Sequence, residues 1–260
     1  MSLDLIPIWA FALIILLLVF ITIEIGFRLG VRYRLKMTPG MESPIGIILG
    51  AVLGLLGFIL AFTFGIVYNR FELRKDLVRQ EANAIGRIWM RSDFMSEPDR
   101  GKTQDLLNKY IELRVTISEI SDMNVVNAKV GESARIQRAL WNLAVVSAHK
   151  DGISGLVAPF TQSLNDLIDI HLRRLAIGVE DRIPLLIWLA LFILLALSMG
   201  SVGYLTGVKS DKRSIMTIAL ALSFTIIFLL ISALDRPFIH LFPVSQRPLL
   251  DVKATMSKQF

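Results

Sequence analysis

The chain has 260 residues, 54% of them hydrophobic, with a net charge of +6 and no cysteine; its mean hydropathy is +0.60. A soluble domain of this length rarely reaches that hydropathy, and the missing cysteines exclude disulfides, thiolate catalysis and Cys-ligated zinc. The basic residues are dispersed and not interleaved with aromatic ones, so they read as lipid-headgroup contacts and topology signals, with no nucleic-acid partner.

The apolar excess falls in four windows, 6–27, 45–68, 183–208 and 215–234. Each is long enough to cross roughly 30 Å of hydrocarbon at ~1.5 Å per helical residue. The first window has no Lys or Arg before it and no small-residue cleavage site after it, so it is expected to be a retained span. Near its end Glu24 precedes Arg28 by one helical turn. An ionisable residue at membrane depth is a functional candidate by default, but this one lies close enough to the boundary to form a structural ion pair with Arg28 or Arg32.

The second window carries small residues at Gly46, Gly50, Gly54, Gly57, Ala61 and Gly65. Spacings of three and four put them on one helix stripe, which predicts close helix packing within the subunit or between subunits. Beside it run Leu55, Phe58, Phe62 and Ile66, again one turn apart. These face either a shared axis or lipid and a neighbouring helix. The window continues unbroken into Arg70, Glu72, Arg74 and Lys75, and the charged run 70–81 reads as a solvated helix face.

Between the second and third windows the pattern is helical throughout. Ser96, Pro98 and Asp99 mark a stop and restart; Leu106, Tyr110, Leu113, Ile117 and Ile120 mark the next helix. After a polar break at 122–129, Ile136, Leu140, Leu143 and Val146 mark another. Gly152, Gly155 and Pro159 interrupt it, and Phe160, Leu164, Leu167, Ile168, Leu172 and Leu175 mark the last. Asn165, Asp166, Asp169 and His171 are the one cluster with metal or proton chemistry. His171 is only two residues from Asp169, on a different helix face, and Asp169 is expected to pair with Arg173 on the surface. No metal site and no cofactor are expected. No zinc-protease motif, phosphate-binding loop or nucleophile elbow is present, so nothing argues for an enzyme.

The expected fold is all-α: transmembrane helices 1 and 2 over 1–68, an extramembrane helical bundle over 69–182, transmembrane helices 3 and 4 over 183–236, and a C-terminal tail over 237–260. The N-terminus, bundle and tail then share one side of the membrane. Arg28, Arg32, Arg34, Lys36, Lys209, Lys212 and Arg213 are assigned to the two short loops, and equal basic charge near the spans on the other side leaves sidedness open.

Several runs resemble a known family. Gly57-Phe-Ile-Leu-Ala-Phe62 followed by Tyr68-Asn-Arg70-Phe-Glu-Leu-Arg-Lys75 is similar to the pore helix of bestrophins, with Phe71 where two tryptophans usually sit. Asp235-Arg-Pro-Phe238 is similar to that family's Asn-Pro-Phe turn. Glu24-x-Gly26, Glu81-Ala-Asn-Ala-Ile-Gly86, Leu164-Asn-Asp-Leu-Ile-Asp169 with His171, and Val244-Ser-Gln-Arg-Pro-Leu249 resemble the bacterial bestrophin-like membrane proteins, distantly similar to bestrophin channels. The resemblance implies a homopentameric ion channel in a bacterial inner membrane with a cytoplasmic bundle. Chloride is the candidate permeant ion, Leu55, Phe58, Phe62 and Ile66 line the neck, and Arg70, Glu72 and Arg74 form a vestibule. No acidic cluster follows Pro237-Phe238, so the calcium clasp of animal bestrophins is not expected. The alternative class is a non-conducting membrane scaffold or sensor whose bundle binds a soluble partner.

Overall fold

The computed structural model describes residues 6–34, 42–117, 120, 122–150, 157–210, 215–236 and 241–258. Helix is the only regular structure among them. The elements are α1 (Ile8–Arg34), α2 (Glu42–Ser92), α3 (Asp99–Ile117), α4 (Met123–Lys150), α5 (Val157–Leu175) with a π-helical turn over Ala176–Glu180, α6 (Leu185–Lys209), α7 (Ile215–Asp235) and α8 (Arg247–Met256). Among the described residues four helices are long and apolar enough to cross a membrane: α1, α2 from Ile45 onward, α6 and α7. The all-α, four-span expectation holds.

The chain divides into two compact units, Met1–Asn69 with Arg182–Arg236, and Arg70–Asp181 with Pro237–Phe260. Helix α2 contributes its first part to one and its remainder to the other.

In the membrane unit, α1 and α6 are held together by interleaved glycines. A Cβ at Gly26 would lie 2.0 Å from the Gly200 carbonyl oxygen, and one at Gly30 would lie 2.2 Å from that of Tyr204. Facing them, Gly203 and Gly207 would put a Cβ 2.1 and 2.3 Å from the carbonyl oxygens of Ile23 and Phe27. Only hydrogen fits at these four positions. Lipid supplies no hydrophobic drive between helices, so this backbone-to-backbone approach is what gives the pair its dispersion contacts. At the start of α1 the packing turns aromatic. Phe11 meets Trp188 edge-on at 5.5 Å, Trp188 stacks on Phe192 at 5.9 Å, and Phe192 stacks on Phe228 of α7 at 5.8 Å.

The same end is closed by polar contacts. The buried Asp235 carboxylate accepts from the Ile183 backbone N–H at 3.2 Å. Arg236 donates to the Ile6 carbonyl at 2.7 Å and lies 4.9 Å over the Phe11 ring. The remainder of that turn, Pro237 to His240, lies outside the described residues.

The second unit is a bundle around Leu77, Ile85, Ile88, Leu107, Ile111, Leu140, Leu164 and Leu167. Two expectations are corrected here. The polar stretch 122–129 is not a break, because α4 already starts at Met123; the Asp122 side chain accepts the Asn124 N–H at 2.9 Å and serves as a start signal. Arg28, Arg32 and Arg34 ride on α1 instead of in a loop, whereas Lys36, Lys212 and Arg213 lie outside the described residues. The C-terminal tail contains α8, with Leu249 and Met256 buried in the bundle core and Lys253 paired to Glu112 of α3 at 2.8 Å. Between α2 and α3 the Glu97 carboxylate accepts the Gly101 N–H at 3.3 Å while pairing with Arg100 at 2.8 Å, and the Ser96 carbonyl takes the Asp99 N–H at 3.0 Å. Residues 151–156, including Gly152 and Gly155, lie outside the described set, and Pro159 stands in the first turn of α5.

Candidate functional site

The membrane part of α2 carries three separate stripes. Leu56, Leu60, Thr63 and Val67 are buried, at successive spacings of four, three and four. Gly46, Gly50, Gly54, Gly57 and Gly65 form the second stripe, and a Cβ at any of them would meet nothing within 4 Å. Ala61, on the same side, is exposed. Among the described residues nothing packs tightly on this stripe; the close helix approach they show is made by Gly26, Gly30, Gly203 and Gly207. The third stripe holds Leu55, Phe58, Phe62 and Ile66, with Phe58 66% and Phe62 65% exposed. At about 100° per residue the three stripes are centred roughly 120° apart.

Glu24 accepts a hydrogen bond from Arg28 Nε at 2.7 Å, one turn away. Farther along α2, Glu72 pairs with Lys75 at 2.9 Å, and the Lys75 and Arg74 cations lie 5.5 and 5.9 Å from the Phe71 ring. Arg70, Glu72 and Arg74 are all half-buried.

Glu81 departs most from expectation. The charged run 70–81 predicts a solvated face, but Glu81 is completely buried. One oxygen lies 3.0 Å from Arg114 Nε of α3 and accepts the Tyr110 hydroxyl at 2.7 Å, and the other takes Arg174 of α5. Tyr110 Oη also receives the Gln137 amide of α4 at 3.3 Å and lies 3.4 Å from Nδ1 of the buried His171. Arg174 continues to Gln246 at 3.4 Å, tying in the C-terminal segment. One polar cluster thus joins α2, α3, α4, α5 and the segment before α8.

Its electrostatics follow from two arginines around one carboxylate. Burial alone would raise the Glu81 carboxyl, but Arg114, Arg174 and the Tyr110 hydrogen bond outweigh it and hold the carboxyl at about 2. Burial and the nearby Arg114 push His171 down to about 4, so its imidazole is neutral. Burial, then the Glu81 charge, raise the Tyr110 phenol well above its ordinary value. Every group is locked in one protonation state near neutrality. The cluster is suited to holding helices in register, not to moving protons.

The sequence cluster around His171 is split by the fold. Asp166 pairs with Arg87 of α2 at 3.0 Å, Asn165 and Asp169 are exposed, and only His171 enters the buried cluster. Among the described residues no group of three His, Asp or Glu side chains could hold a metal ion.

An all-helical, multi-pass membrane protein with a helical bundle outside its spans is what these features define. The model of the Bestrophin-like domain matches residues 8–249, and the chain belongs to that family. No curated protein and no solved structure matches it.

Proposed function

We propose that the protein is a homopentameric ion channel of the bestrophin type, in which α2 from each subunit surrounds a common axis. One observation carries this reading, the three-way division of α2. A helix in a ring needs one face for its own subunit, one for a neighbour and one for the axis. Leu56, Leu60, Thr63 and Val67 take the first part. The glycine stripe, open for close approach, takes the second. Leu55, Phe58, Phe62 and Ile66 take the third and form a hydrophobic neck that gates by dewetting. A helix facing only lipid has no use for such glycines, since each costs about 1 kcal/mol relative to alanine in a helix interior. Arg70, Glu72 and Arg74 then line the vestibule and bias its ion occupancy; the net charge of +6 favours an anion, and the bestrophin resemblance suggests chloride. The setting is the inner membrane of a bacterium, with the bundle in the cytoplasm.

The test is planar-bilayer recording of the purified protein. Wild type should show discrete openings, and Phe58→Ala with Phe62→Ala should raise open probability by removing the two bulky rings. If wild type and double variant are equally silent as intact oligomers, the scaffold or sensor reading replaces this one.

A further inference from the structure

The membrane unit contains a cavity of about 510 Å³ whose apolar walls are Phe20, Ile23 and Phe27 of α1 with Ile215 and Ile218 of α7. Glu24 also lines it. Thr206 lines it too, but turns its hydroxyl back to the Val202 carbonyl at 2.8 Å. Glu24 is the charged side chain of this lining, and one turn farther along α1 the Arg28 guanidinium is bonded to it. Arg28 is 73% exposed and Glu24 32%.

The depth of this pair in a bilayer follows from helix geometry. At ~1.5 Å per residue, Glu24 and Arg28 stand about 24 and 30 Å along the axis from Ile8, the latter the full thickness of the hydrocarbon. The ends agree, since α6 terminates at Lys209 and α7 begins at Ile215. An apolar cavity thus opens at headgroup level, beside a carboxylate and a guanidinium held 2.7 Å apart.

We infer that this cavity binds a phospholipid bearing a primary-amine headgroup of the phosphatidylethanolamine type. An acyl chain fills the space between Phe20, Ile23, Phe27, Ile215 and Ile218, the ammonium donates to Glu24, and the phosphate accepts from Arg28. The adjacent anion and cation of the protein match the adjacent cation and anion of this headgroup. A choline headgroup has no N–H to give Glu24, and a glycerol headgroup has no positive charge.

Native mass spectrometry of the full-length protein, released from detergent with phosphatidylethanolamine, phosphatidylcholine or phosphatidylglycerol of identical acyl chains, tests this. Wild type should retain the ethanolamine lipid roughly tenfold more than the choline lipid, the ratio expected for one charge-assisted hydrogen bond. Glu24→Gln should abolish that preference while still binding lipid, and Arg28→Ala should weaken all three. Equal retention of ethanolamine and choline lipids by wild type, which would mean an acyl chain held without its headgroup being read, overturns the assignment. So does a preference that survives in Glu24→Gln, or a protein that emerges with no lipid. The wild-type comparison needs no variant to fold.

Discussion

Glu81 is completely buried, held between Arg114 and Arg174 with the Tyr110 hydroxyl at 2.7 Å. Removing one partner of a buried ion cluster leaves the others uncompensated, a loss of about 3–5 kcal/mol. Glu81→Ala should therefore lower the thermal midpoint of the bundle sharply, read by circular dichroism in detergent, with Glu81→Gln less severe because the amide oxygen still accepts. A Glu81→Ala protein that melts like wild type would mean the cluster is not buried in solution. His171 gives a pH dependence of defined sign. Its folded value of about 4 lies below the ordinary 6.5, so between those limits the unfolded chain binds a proton that the folded one refuses. Stability should fall by an amount on the order of 2–3 kcal/mol as pH drops from 6.5 to 4. The groups facing the imidazole, Glu81, Arg114, Arg174 and Tyr110, keep their charge states across that window, so His171→Gln should flatten this part of the profile. The separate contribution from Glu81, fully present above about 4.5 and lost only as pH falls through about 2, remains. This cluster was legible in the sequence, but only by reading polar residues as part of an apolar stripe. Glu81 stands among Leu77, Val78, Ala82, Ile85 and Ile88, Arg114 follows Leu107, Tyr110 and Ile111, and His171 follows Leu164 and Leu167. A pattern built from apolar residues alone places the stripe of α5 on Leu172, which is 57% exposed, instead of on its neighbour His171.

At the level of helices the same bias rotates α4. Its buried line is Val126, Ser133, Gln137, Leu140, Ala144 and Ser147, half of it polar, while Val146 points outward. Span positions were easier to read, because bilayer crossing depends on length and hydropathy alone and needs no choice of face. Which glycines make contacts was not readable. With Ala61, Gly46 to Gly65 recur at spacings of three and four, much like the pairs Gly26/Gly30 and Gly203/Gly207, and only the fold shows which meet a backbone among the described residues. That difference predicts two separable phenotypes. Gly26→Ala or Gly203→Ala forces a methyl to within about 2 Å of a carbonyl oxygen that cannot yield, so the membrane unit should lose thermal stability by an amount typical of overpacking, about 1–3 kcal/mol or more. A Cβ at Gly54 or Gly57 has open space among the described residues, so Gly54→Leu or Gly57→Leu should keep subunit stability while oligomers dissociate in mass photometry. Intact oligomers in both α2 variants would show that this stripe faces lipid.

For the whole molecule the deciding quantity is the distance between equivalent α2 residues in different copies. Phe62 is 65% exposed, and Leu17 on α1 and Leu197 on α6 are 52% and 58% exposed, so it is this distance that separates an axis from lipid. The cysteine-free chain makes the distance measurable, since any thiol introduced is the sole thiol of its subunit. In a ring with Phe62 at the neck, Phe62→Cys side chains from different subunits approach one another closely enough for a disulfide, which needs Cα atoms within about 7 Å after modest motion. Copper phenanthroline should then convert Phe62→Cys to covalent dimers on a denaturing gel, whereas Leu17→Cys and Leu197→Cys, on helices that the proposed ring places off its axis, should stay monomeric. Phe58→Cys, one turn earlier on the same stripe, should cross-link too, and Leu60→Cys, buried within its own subunit, should not. This periodicity separates a neck from random collision, which would couple all exposed positions alike. Cross-linking at Leu17 equal to that at Phe62, or none at either neck position in an intact oligomer, would remove α2 from the axis and the conduction pathway with it.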